Sequence, residues 1–216
     1  MVQALLKSPF TRYLVPFAAF IGIGALQTAA PSHDACWLIY GVKMLVTGAL
    51  LWWFFRPRKE EIPGGFDWNA VFTGLAVLAV WIIYYTLAPA SGEDALGLVQ
   101  VPLFAVVLFK LIGSTTVVPV LEELIFRSFL MRILIKDDFL SVPAGAYKPH
   151  AFWISAVLFA LMHPMNLWGV ALFAGVAYGA YFVKTKNLWG AVIAHAVTNL
   201  GLWLYVLILG KWALWS

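Results

Sequence analysis

Two adjacent carboxylates inside an apolar run restrict this chain more than any other feature. Residues 119–130 read Pro119-Val120-Leu121-Glu122-Glu123-Leu124-Ile125-Phe126-Arg127-Ser128-Phe129-Leu130, and of the ten acidic residues only Glu122 and Glu123 lie in an apolar segment. At the centre of a bilayer a charged side chain costs about 2.5–3.5 kcal/mol on insertion scales. Such a group faces a bundle interior or a watery cavity, never lipid, and marks a candidate functional site. The fold must therefore wrap other helices around this one.

That a bilayer is the solvent follows from composition. The chain is 63% hydrophobic and 11% charged, against about 45–50% and about 25% in soluble domains. An all-α polytopic bundle forming one integral membrane domain over residues 1–216 is expected. Eleven Trp and eight Tyr suit interfacial belts. The net charge of +4 comes from basic residues flanking apolar runs. They read as topology anchors, which argues against a nucleic-acid partner. A single cysteine, Cys36, excludes an intramolecular disulfide and a cysteine-based metal cluster.

The hydrophobic pattern predicts about eight helices. Residues 1–12 form a basic leader. The run from Tyr13 to Ala30 is a retained first span, with a cleaved signal peptide as the alternative. Cys36–Phe55 and Trp68–Ala88 are the next two, separated by a charged loop at Arg56-Pro57-Arg58-Lys59-Glu60-Glu61. An acidic loop, Ser91-Gly92-Glu93-Asp94, precedes a fourth helix from Leu98 to Ile112. Gly113-Ser114-Thr115-Thr116 is expected to break the chain, with Thr116 capping a fifth helix and Pro119 in its first turn. A short helix follows over Ala151–His163, then one from an Asn166 cap to Val183 and one over Leu188–Leu209. A cytoplasmic N terminus puts the basic loop inside. Strict alternation of eight helices then leaves Lys184 and Lys186 on the wrong side.

Three polar groups fall in the C-terminal half. Glu123 and Arg127 are four apart and can pair on one helix face. Glu122 lies about 100° round the helix from its neighbour, so two adjacent carboxylates acquire different environments and different roles. The second group is Phe159-Ala160-Leu161-Met162-His163. The third is His195-Ala196-Val197-Thr198-Asn199, with His195 and Asn199 on one face. Alone, the Glu/Arg pair and His195 with Asn199 read equally well as interhelical hydrogen bonding, and His163, at a helix end, reads more readily as a satisfied interfacial residue. Together, acid, two imidazoles and an amide on three helices are the components for activating water and holding an oxyanion.

Glu122-Glu123-x-x-x-Arg127, Phe159-x-x-x-His163 and His195-x-x-x-Asn199 resemble the type II CAAX prenyl endopeptidases and their bacterial relatives, the CPBP (ABI) intramembrane proteases. The likeness covers roughly residues 115–200. Length and layout are similar to a CAAX-protease-related subgroup of bacteria with exosortase sorting systems. The resemblance implies eight helices around a polar cavity within the inner membrane, and hydrolysis of a peptide bond in a membrane-associated or lipidated protein. It implies that Glu122 and His163 activate water, that His195 and Asn199 hold the oxyanion, and that Glu123, Arg127 and Phe159 position the site. It implies no cofactor. A zinc protease using His163, His195 and a glutamate is the nearest alternative, although no His-Glu-x-x-His helix is present. A non-enzymatic immunity or partner-binding protein is the other. Prenylation of the substrate and the oligomeric state stay open.

Overall fold

The structure, a computed structural model, describes residues 8–56, 62–87 and 103–210. Among these, all regular structure is helical. Helix α1 is Pro9–Thr28, α2 His33–Phe55 and α3 Trp68–Leu87. Helix α4 runs over 103–133, α5 is Pro149–Leu161, α6 Trp168–Thr185 and α7 Leu188–Leu209. Five segments are long and apolar enough to cross a membrane: α1, α2, α3, Met165–Thr185 and α7. This is an integral membrane bundle. The expected basic leader up to residue 7, most of the charged loop and the acidic loop lie outside the described residues.

Helix α4 merges the expected fourth and fifth helices, so the described residues hold seven helices and not the expected eight. The predicted break at Gly113–Thr116 is instead a wide π-helical turn, Gly113–Val117, with helical backbone on both sides. Val118 N–H reaches back five residues to Gly113 O. The physical reason is Pro119, whose ring in an α-helix would strike the carbonyl four residues earlier. Widening the turn accommodates it without ending the helix. The hydroxyls of Thr115 and Thr116 donate to Leu111 O and Ile112 O at 2.7 and 2.6 Å, so Thr116 is no N-cap. A second π segment, Leu124–Leu130, follows a six-residue α stretch, Val118–Glu123. The paired glutamates thus sit between two wide turns, a common setting for functional residues.

Helix α4 is the central element. Helix α1 packs on α2, α3 on α7 and α5 on α6, and α4 touches α1, α2, α5 and α7. Gly74 lets α3 and α7 meet closely: a Cβ there would lie 2.8 Å from Val197 Cβ. Helix α7 starts at Asn187, whose Oδ1 accepts from Gly190 N at 2.6 Å. Leu167 precedes α6 without a side-chain cap, and the expected cap Asn166 lies in a preceding 3₁₀ turn.

With seven helices the connections sort cleanly between two ends. Trp189 N donates to Pro63 O, Asn187 Nδ2 to Gly65 O, and Tyr181 OH to Asp67 Oδ2. Phe10 packs edge-on against Phe139. These contacts gather the α2–α3, α4–α5 and α6–α7 connections at one end, with Arg56, Lys136, Lys148, Lys184 and Lys186. At the other end Tyr84 OH donates to Asn166 O at 2.8 Å, and the connections 29–32 and 162–167 hold no Lys or Arg. The charge conflict expected for Lys184 and Lys186 came from counting α4 twice.

Candidate active site

Glu123 is fully buried and Arg127 is 1% exposed. Their i,i+4 ion pair puts Arg127 Nε 3.1 Å from Glu123 Oε2, as the spacing predicts. It is a charge contact, not an aligned hydrogen bond. Arg127 Nη2 donates to Gly175 O at 3.2 Å, and its guanidinium covers the Phe159 ring at 4.7 Å. A buried cation needs such partners, because desolvating it alone costs several kcal/mol.

The second oxygen of Glu123 carries the site to α7. His195 Nδ1 lies 3.1 Å from Glu123 Oε1. A carboxylate facing an arginine accepts, so Nδ1 is the donor and Nε2 is the nitrogen left on the other edge of the ring. That Nε2 faces Glu122 Oε2 at 3.9 Å. Glu122 Oε2 is buried without a hydrogen-bond partner. Unsatisfied buried polar atoms are rare and demand a reason, of which catalysis is one.

Of two residues that the sequence did not mark, Tyr178 holds the His195 ring and Thr198 anchors Tyr178. Tyr178 stacks on the imidazole, 5.0 Å between centroids at 18°. Tyr178 OH donates to Thr198 Oγ1 at 2.8 Å, and Thr198 donates to Gly74 O at 2.9 Å. Thr198 stands three residues after His195, which already placed it on the same face. Tyr178 carried only the weak signal of a tyrosine between Gly175 and Gly179.

Phe159 lies among the aromatic and imidazole rings of the cluster. Its ring touches His163 at 5.1 Å, His195 at 5.8 Å and Phe126 at 5.4 Å. His163 lies in the bend just after α5, with Trp81 beside it. Its Nδ1 is 3.1 Å from Phe159 O. A carbonyl only accepts, so Nε2 is again the free nitrogen. No hydrogen bond or ion pair joins His163 to Glu122, Glu123 or His195. Asn199, half-buried one turn beyond His195, donates from Nδ2 to Ser114 O at 2.8 Å. Among the described residues no three His, Cys, Asp or Glu side chains form a metal-holding group. A cavity of about 310 Å³ opens nearer the basic end, lined by Ser128, Arg132, Phe182 and Leu188 among others. Glu122 is not among its lining residues.

Residues 102–201 match the type II CAAX prenyl endopeptidase Rce1-like family. They are a domain of that protease family. The Rce1-like domain contains α4 to most of α7 and every residue of the cluster around Glu122, Glu123 and His195. That buried cluster is consistent with the catalytic site of the family. No curated protein and no solved structure matches the chain.

Proposed function

We propose that this protein is an intramembrane endopeptidase that hydrolyses a peptide bond of a membrane-associated or lipidated protein, with water activated by Glu122. The observation that carries the reading is the facing pair Glu122 Oε2 and His195 Nε2, 3.9 Å apart. With Nδ1 donating to Glu123 and Nε2 left as an acceptor, neither atom of the pair can bond the other, and one water can donate a proton to each. Glu122 then takes a proton from that water as its oxygen attacks the substrate carbonyl. Glu123 and Arg127 fix His195 and so orient the water. His163, with its own free Nε2 on the same Phe159 ring, is assigned to the substrate, because no contact ties it to Glu122. We place the basic end of the bundle in the cytoplasm, together with the N terminus, on the charge asymmetry of the connections.

The test compares membrane proteomes of cells expressing wild type or Glu122→Gln at equal level, mapping new protein termini. Termini that require Glu122 support the protease and name its substrates. Equal termini with an equally abundant variant overturn it and favour a non-enzymatic partner-binding role.

A further inference from the structure

We infer that Asn199 is a positioning residue: its amide holds the one α4 carbonyl that Pro119 leaves without a backbone donor, and so sets Glu122 against His195. Val118 N–H bonds to Gly113 O, five residues back. In that register Ser114 O would receive the N–H of residue 119, and residue 119 is proline, which has none. A backbone carbonyl inside a helix bundle needs a partner. The partner comes from α7, where Asn199 Nδ2 donates to Ser114 O at 2.8 Å.

The location gives this bond its consequence. Pro119 is followed by the Val120-Leu121-Glu122-Glu123 turn, and Asn199 stands one turn after His195. One hydrogen bond therefore links the helix bearing both glutamates to the helix bearing their imidazole, a single turn from the pair. Glu123 bonds His195 on one side of the cluster; Asn199 bonds α4 on the other. Between these two ties lies the 3.9 Å separation of Glu122 and His195. An oxyanion donor would act differently: it matters only with substrate bound. The second N–H of the Asn199 amide leaves both roles chemically open, so the test must separate them.

Pro119→Ala supplies the separation. It restores a backbone N–H, so Ser114 O meets residue 119 if the wide turn persists and Val118 if the turn closes to α register. Four proteins are compared in micelles: wild type, Asn199→Ala, Pro119→Ala and the double variant, with Asn199→Leu replacing Asn199→Ala if the alanine protein does not fold. Histidine-selective ¹⁵N spectra read the His195 ring without substrate. The expected result is that Asn199→Ala shifts the His195 nitrogens and that Pro119→Ala in the same chain returns them. Unmoved His195 signals in Asn199→Ala, or a shift that Pro119→Ala does not reverse, overturn the proposal. Cleavage of a substrate found by the terminus mapping gives a second readout, which rests on the protease reading. Misplacement of reacting groups by about 1 Å can cost about 10²-fold, so kcat should fall by roughly that much with KM little changed, and recover in the double variant. A loss that persists in the double variant assigns Asn199 to the oxyanion and overturns positioning. The spectra decide the inference even if no substrate exists.

Discussion

His195 Nε2 stands 3.9 Å from Glu122 Oε2, while the opposite edge of the same ring is tied to Glu123. The imidazole is thus fixed by one glutamate and presented to the other. Adjacent residues in sequence meet opposite edges of one ring because a helix turns them about 100° apart.

Glu122→Gln should abolish proteolysis and leave folding intact. General base catalysis contributes about 10²–10⁴-fold, so activity should fall at least that far. The lost carboxylate oxygen has no hydrogen-bond partner, so thermal unfolding in detergent should occur at or above the wild-type temperature. A variant that keeps its activity, or one that unfolds early, would contradict the assignment of Glu122 as base.

Much of this site was legible in the chain. The Glu123–Arg127 pair followed from i,i+4 spacing and appears at 3.1 Å. The four polar or aromatic anchors Phe159, His163, His195 and Asn199 were marked by motif. Their partners were not. Which histidine faces Glu122 depends on how α4 and α7 pack, a relation no local spacing encodes. The helix count failed at one place for one reason. Gly-Ser-Thr-Thr before a proline has the composition of a break, yet buried helix neighbours favour a widened turn over an interrupted backbone.

Tyr178→Phe should be mild and Tyr178→Ala severe for activity. Phenylalanine keeps the ring stacked on His195 and loses only the hydroxyl bonded to Thr198, worth about 1 kcal/mol. Alanine removes the surface that holds the imidazole. Rates normalised to folded protein would show the difference; equal losses in both variants would point to the hydroxyl instead.

The basic end should carry an acid-sensitive contact. The backbone N–H of Asn69, and next the Tyr181 hydroxyl, hold the Asp67 carboxyl below its ordinary value. A depressed carboxylate stabilises the fold at pH above the unfolded value, near 3.9, and that contribution is lost as pH falls through the folded value. Asp67→Asn should therefore narrow the stability gap between neutral pH and about pH 3. Unfolding curves at both pH values in the same detergent check it, and an unchanged gap would remove Asp67 from the account.

Arg127 should prove to be structural first and catalytic only through Glu123. Its substitution by methionine, similar in length and uncharged, leaves Glu123 buried with His195 as its remaining partner. Removing one member of a buried ion pair typically costs about 3–5 kcal/mol, so Arg127→Met should unfold at a much lower temperature. Lysine should not rescue it. The guanidinium serves three neighbours at once: Glu123 Oε2, Gly175 O and the face of Phe159. An ammonium has no planar fork and no stacking face. The double variant Glu123→Gln with Arg127→Met removes both charges together. It should regain stability relative to Arg127→Met alone, since a buried pair can often be replaced by neutral groups at little cost. It should stay inactive, because glutamine no longer fixes the His195 tautomer from a charged acceptor. Recovered stability without recovered turnover would show that the pair holds the fold and the carboxylate orients the imidazole.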